Sequence, residues 1–272
     1  MSQSEIDNLY FDLQADFGIT KHMGGFKATR ELAELCHIGE NSHLLLVGCG
    51  IGHSLIYIAR HFGCRITSID ISEKMVLRSL ERVKRYGLEK QVEIKVGDAQ
   101  NIPCKDNLFD AVICESVTAF VLDKRKAVNE YQRVAKPGGY IGLNEVAWIK
   151  EPTQELKAYA AQIMAGADFL TYAGWQQLLQ DSGLKNIEIR PYKFNAGSQY
   201  LAEIQQLSIP DIARAWGRFI SQSFTNPAYR KFIKSIMSKP GLIFQFTKHI
   251  GYGLYVGRKP KVQDSIPNYF IK

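Results

Sequence analysis

Leu44-Leu45-Leu46-Val47-Gly48-Cys49-Gly50-Ile51-Gly52, followed by Asp70 at the end of the next apolar run, decides how this chain is read. A strand-length apolar run gives way to glycine at alternate positions, and a helical pattern opens near His53 or Ser54. Glycines at 48, 50 and 52 permit positive φ and let backbone approach a ligand where a Cβ would clash. The N–H groups that open the following helix then favour a carboxylate or phosphate. Asp70 closes the run Cys64-Arg65-Ile66-Thr67-Ser68-Ile69, so its carboxylate is expected at a strand's carboxyl edge, where it accepts both hydroxyls of a ribose. Together these residues predict a nucleoside-containing cofactor at the carboxyl edge of a parallel sheet.

Working outward, strands and helices alternate. Strands are expected at 43–48, 64–70, 91–97, 109–115 and 140–146, with helices at 53–62, 72–87 and 123–135 between them. Ser72 is placed to cap the 72–87 helix and Gly87 to end it, while Pro137-Gly138-Gly139 stops the helix before strand 140–146. This rhythm implies βαβ units with right-handed crossovers. Ahead of it, a helix is expected over 4–16, with Ile6, Leu9, Tyr10, Leu13 and Phe17 on one face, then a loop and a second helix over 26–38. After residue 150 the rhythm changes. Helices are expected at 151–168 and 171–182 and strands at 186–194 and 250–258, with Pro191 marking an edge. The intervening 196–249 is too long for a hairpin loop and reads as a helical cap insertion.

Composition narrows the class. The 272 residues carry 46% apolar side chains, ordinary for a globular protein, and the longest apolar stretches are strand length, which argues against a transmembrane helix. Five scattered cysteines without a Cys-x-x-Cys pair, and a polar start at Met1–Glu5, fit a reducing cytoplasm with no bound metal. Charge is uneven: residues 1–150 are neutral, whereas 151–272 hold the whole net +7. The cap 196–249 alone has seven Lys or Arg against two acids, interleaved with aromatics such as Trp216, Phe219 and Phe224. One reading is a lid with a solvated basic face. The other is a lid whose apolar side covers a hydrophobic substrate while its basic side meets either an anionic membrane surface, in peripheral contact, or an acidic group. No nucleic acid is expected, because no recognised motif accompanies the basic residues.

These motifs resemble the class I S-adenosylmethionine-dependent methyltransferases of the small-molecule branch, over roughly residues 26–183. Val47-Gly48-Cys49-Gly50-Ile51-Gly52 resembles the loop that lies under the cofactor's methionine part. Asp70 is similar to the acid that grips the ribose, with Ile71 and Met75 near the adenine. Gly97-Asp98-Ala99, followed by Ile102-Pro103, resembles the adenine motif, and Phe109-Asp110-Ala111-Val112-Ile113 the fourth strand. His22-Met23-Gly24-Gly25-Phe26-Lys27-Ala28-Thr29 is similar to the segment before the first helix of quinone, sterol and tocopherol methyltransferases. The resemblance implies a doubly wound, seven-stranded, mostly parallel α/β sheet with an antiparallel last strand, and S-adenosyl-L-methionine as cofactor. It divides the chain into an N-terminal cover (1–25), a core (26–195 with 250–260), the cap (196–249) and a tail (261–272).

The acceptor side is less defined. Glu115 and Ser116 follow the fourth strand, where cofactor and acceptor meet, so both join the cofactor-binding candidates. His22, Glu115 and Tyr10 are the catalytic candidates: His22 or Glu115 as a base or substrate hydrogen-bond partner, Tyr10 as a cover for the methyl group. Glu145 either faces the pocket or forms a structural pair. Asp110, Cys49 and Cys114 read as structural. The acceptor is expected to be a small molecule with an oxygen, nitrogen or carbon nucleophile. The alternatives are an NAD- or FAD-dependent oxidoreductase, disfavoured by the Gly-x-Gly-x-Gly spacing, and a non-catalytic S-adenosylmethionine-binding regulator.

Overall fold

The computed structural model describes residues 11, 22–195, 197, 209–237 and 239–261. Of the expected 4–16 helix only residue 11 is described, and it is helical; the rest, and Tyr10 and Phe17 with it, lie outside the described residues. In chain order the elements are α1 (Gly25–Leu35), β1 (His43–Val47), α2 (His53–Phe62), β2 (Arg65–Asp70), α3 (Glu73–Arg85), β3 (Val92–Val96) and β4 (Phe109–Glu115). A 3-10 turn (Thr118–Phe120) leads to α4 (Lys124–Val134), β5 (Ala135–Trp148), α5 (Gln154–Ile163), α6 (Tyr172–Asp181) and β6 (Lys185–Lys193). Last come α7 (Ile209–Thr225), α8 (Pro227–Met237), α9 (Pro240–His249) and β7 (Ile250–Arg258).

Among the described residues the strands form one seven-stranded sheet in the order β3-β2-β1-β4-β5-β7-β6. The β1–β2, β1–β4, β2–β3 and β4–β5 pairs are parallel, and β7 runs antiparallel to both β5 and β6. The order reverses beside β1, so the crevice above β1 and β4 is the switch point where such sheets bind ligands. Successive strand residues feed opposite layers: Leu44, Leu46, Ala111 and Ile113 pack with α1 and α2, whereas Leu45, Val47, Val112 and Cys114 pack with α4 and α6. Pro191 does sit on the edge strand, β6.

Two elements differ from the periodicity. The 151–168 helix spans only Gln154–Ile163, because Ala165 and Gly166 take positive φ and end it. Strand 140–146 is part of a longer β5. Ala135 pairs with Phe109, the register then skips to Tyr140 opposite Ala111, and the Pro137-Gly138-Gly139 turn bulges between them. That bulge is held by backbone bonds that Gly138 and Gly139 exchange with Lys259. Ser72 caps α3 by accepting from the Met75 N–H, and Gly87 follows its C-cap at φ 66°. Asp110 is structural: it accepts from the His43 N–H at 2.9 Å and pairs with Lys136 at 2.7 Å.

Candidate active site

The turn after β1 is built from backbone. The Gly48 and Cys49 N–H groups both donate to the Ile69 carbonyl, at 2.8 and 3.0 Å. The Gly50 N–H donates to Asp70 Oδ2 at 2.9 Å, and the Ser72 N–H to Asp70 Oδ1 at 3.0 Å. Asp70 therefore ties the glycine turn to the start of α3. These glycine N–H groups are spent on the fold, so the glycines serve by shape. Gly48 and Gly52 take φ of 78° and 86°, and a Cβ on Gly48 would run into Val117. A Cβ on Gly52 would sit 2.6 Å from Ser79 Oγ. Burial pushes the Asp70 carboxyl above its ordinary value, against the pull of the Ser72 and Gly50 donors. Burial likewise pushes the Cys49 thiol up, so it stays a small neutral side chain.

Along the same edge, Ile71 is 74% exposed beyond Asp70, whereas Met75 is buried against Ile51. Gly97 donates its N–H to the Asp70 carbonyl, and a Cβ there would press on Pro103. Asp98 accepts from the Gln100 N–H at 2.8 Å, which fixes its carboxylate at the rim, and Ala99 is buried behind it. The glycine turn, Asp70, the exposed Ile71 and Asp98 thus line one shelf at the carboxyl ends of β1, β2 and β3.

At the ends of β4 and β5 the chain gathers buried polar groups. Glu115 Oε1 accepts from Thr29 Oγ1 at 2.9 Å, Thr29 Oγ1 lies 3.0 Å from His22 Nε2, and His22 Nε2 is 3.9 Å from Glu115. With Thr29 donating to Glu115, the consistent assignment has the His22 Nε2–H donating to Thr29. Asn144, opposite Glu115 in the β4–β5 register, donates to the Met23 carbonyl at 2.9 Å. Ser116 adopts φ 56°, a strained value for a non-glycine, and donates its N–H to the Asn144 carbonyl at 2.7 Å. Three oxygens here are buried without a hydrogen-bond partner: Glu115 Oε2, Ser116 Oγ and Asn144 Oδ1. Buried polar atoms are normally paired, so three orphans at one strand edge point to a ligand that pairs them.

The structure therefore brings His22 and Glu115 together, joined by Thr29, and sets Ser116 beside them; Tyr10 falls outside the described residues. Thr29 and Asn144 were not singled out from the sequence. A signal existed for Asn144, a polar residue inside the apolar run Ile141-Gly142-Leu143-Asn144-Glu145-Val146. Thr29 shows none, because its role depends on α1 docking across β4. Glu145, left between two readings, faces the opposite layer, where it accepts from the Val117 and Thr118 N–H groups at 3.1 and 2.7 Å.

Comparison with known proteins bears on this arrangement. The family described as a methyltransferase domain matches residues 45–143. An uncharacterized protein of Haemophilus influenzae is 30% identical over 168 residues, covering 61% of this chain and 67% of its own length. Phosphoethanolamine N-methyltransferase 1 of Arabidopsis thaliana is 30% identical over 165 residues, covering 60% of this chain and 33% of its own. The chain thus spans about a third of that plant enzyme. Among solved structures, Haemonchus contortus phosphoethanolamine N-methyltransferase 2, in complex with S-adenosyl-L-methionine, superposes with a TM-score of 0.69 at 20% identity, over 94% of this chain and 57% of the other. That likeness extends the shared fold well past the matched domain.

Proposed function

The chain belongs to the class I S-adenosylmethionine-dependent methyltransferases, and from that membership we propose that it transfers a methyl group to the nitrogen of a small-molecule amine. The residues fit the cofactor. The Gly48–Gly52 turn offers side-chain-free backbone to the methionine part, Asp70 keeps lone pairs for the ribose, and Ile71 presents an apolar surface to the adenine beside Asp98. Bound S-adenosylmethionine supplies an electrophilic methyl carried on a cationic sulfur.

The observation that carries the choice of nitrogen is the buried, unpartnered Glu115 Oε2, with Ser116 Oγ and Asn144 Oδ1 beside it. An amine brings N–H donors to acceptors of this kind, and a neutral primary amine has two to offer. In this reading Glu115 accepts one N–H of the neutral amine and aims the nitrogen lone pair at the methyl group. After transfer the nitrogen sheds a proton, and Glu115 Oε2 receives it, while the Thr29 hydroxyl, itself held by His22, donates to Oε1 and fixes the carboxylate in place. The curated relatives named as N-methyltransferases support the same class of acceptor. We place the reaction in the cytoplasm, on five unpaired cysteines. The test is transfer of labelled methyl from S-adenosylmethionine to a panel of small amines, phenols and enolisable rings. Label on amines alone is expected; label confined to phenols or carbon acids overturns the assignment.

For the cap we propose a second role, contact with an anionic membrane surface. Residues 212–261 contain ten Lys or Arg and no acid. On α7, Trp216, Phe219, Ile220 and Phe224 fall within about 140° of one another at about 100° per residue, and all four are exposed, Phe224 to 81%. Lys231 and Lys234 are exposed on α8, and the Lys248 ammonium lies 3.9 Å over the exposed Phe244 ring on α9. Aromatic residues beside lysines suit the headgroup boundary. The whole chain is expected to co-sediment with phosphatidylcholine vesicles holding about 30% phosphatidylserine, each basic residue near the surface adding about 1 kcal/mol, and not with phosphatidylcholine alone. Trp216→Ser with Phe224→Ser should abolish this; co-sedimentation unchanged by that pair, or absent in wild type, removes the proposal.

A further inference from the structure

Glu145 lies on β5 on the layer opposite Glu115, and it is fully buried. One oxygen, Oε1, takes both the Val117 and the Thr118 N–H groups; the other, Oε2, has no partner. The titratable groups facing it are Cys114 from β4, at 3.8 Å, Tyr131 from α4 and Tyr255 from β7. Burial keeps all three neutral, pushing Cys114 up to about 12 and both tyrosines above their ordinary value. With no cation facing it among these groups, burial pushes the Glu145 carboxyl up to about 7, although the Val117 and Thr118 donors pull the other way.

The segment that Glu145 holds matters for the site. Ser116 has the left-handed φ, Val117 fills the space that a Cβ on Gly48 would need, and Thr118 opens the 3-10 turn. A carboxylate that fixes the Val117 and Thr118 N–H groups therefore fixes the wall behind the glycine turn and the angle at which Ser116 meets Asn144. We propose that Glu145 is a positioning residue for the cofactor: it clamps the Ser116–Thr118 turn against Gly48, and the clamp tightens when the carboxylate is charged. The inference rests on the cofactor reading above. An ionised acceptor makes shorter, stronger bonds to N–H than a neutral carboxyl does.

Ionisation then acts in opposite directions on binding and on stability. A carboxyl whose folded value is raised contributes stability that is complete below its unfolded value, near 4.5, and is lost as pH rises through about 7. The apo protein should therefore lose thermal stability between pH 5 and 8 just where its cofactor site firms up. A residue that only packs the core would not couple the two.

The test titrates S-adenosylhomocysteine into the whole chain at pH 6 and pH 8 by calorimetry, and measures the apo melting temperature at both. Wild type is expected to bind about three- to tenfold more tightly at pH 8 while melting lower there. Glu145→Gln, which keeps an accepting oxygen but no charge, should bind equally at the two pH values, at the weaker level, with a flatter melting profile. Glu145→Ala should weaken binding at both; if it does not fold, Glu145→Gln alone decides. Wild-type affinity that is flat with pH, or a Glu145→Gln protein that keeps the wild-type pH dependence, overturns the proposal. Absence of any wild-type binding would instead overturn the cofactor reading.

Discussion

Glu115→Gln is expected to lower kcat by about 10²- to 10⁴-fold, the usual contribution of a positioned acid or base, while S-adenosylhomocysteine affinity stays within a few-fold of wild type. The substitution keeps the volume of the side chain and an oxygen for Thr29 to donate to. What it removes is the charge at Oε2, the atom left buried and unpartnered at the strand edge. Glutamine would present an amide donor or a weaker acceptor there, so the amine would lose both its orienting partner and its proton acceptor. His22→Ala should cost less, because it removes only the outer end of the Thr29 chain. Steady-state rates beside calorimetry separate the outcomes. A Glu115→Gln enzyme with near-normal kcat would take the residue out of the chemistry. Lost S-adenosylhomocysteine affinity with kcat unchanged at saturation would move it to the cofactor's amine end.

The contrast between Asp70 and Glu145 shows how far sequence goes here. Asp70 is legible because everything that positions it is local: an apolar run sets the strand, a glycine turn precedes it, and Ser72 caps the next helix two residues on. The parallel alternation of strands and helices is legible for the same reason, whereas the strand count and the antiparallel β7 come from the family resemblance. Glu145 is not, because its partners Val117 and Thr118 reach it only once β4 and β5 pair in one register. The Thr29–Glu115 bond joins residues 86 apart, and no periodicity encodes it. Helix ends fail on backbone detail: two residues at positive φ, Ala165 and Gly166, cut short a run whose apolar spacing continues. What the sequence states well is the donor side, built from consecutive residues. The acceptor side is assembled from α1, β4, β5 and the segment at 22–23, and its chemistry emerges only from that assembly.

Asp70→Ala should weaken S-adenosylhomocysteine binding by about two orders of magnitude, since hydrogen bonds to a charged group are each worth about 1.5–3 kcal/mol. Asp70 makes two such bonds within the protein, to Gly50 at 2.9 Å and Ser72 at 3.0 Å, before any ribose arrives. Alanine therefore loosens the shelf and also removes the ribose acceptor. Asp70→Asn separates these effects. One of its atoms still accepts, but the amide N–H₂ meets either the Gly50 or the Ser72 donor head-on, so affinity should fall nearly as far while the side chain's volume is kept. Stability should behave differently. Burial holds the Asp70 carboxyl above its ordinary value, so its stabilising contribution is complete below the unfolded value and is lost as pH rises through the raised one. Ionising this buried carboxyl is thus a liability to the apo fold that the site retains for binding. Any melting deficit of Asp70→Asn against wild type should therefore be no larger at pH 7.5 than at pH 4, even as its S-adenosylhomocysteine affinity collapses. Unchanged affinity in Asp70→Ala would remove Asp70 from the cofactor site. A melting loss in Asp70→Asn larger at pH 7.5 than at pH 4 would mean that the backbone donors outweigh burial, making the residue a structural anchor first.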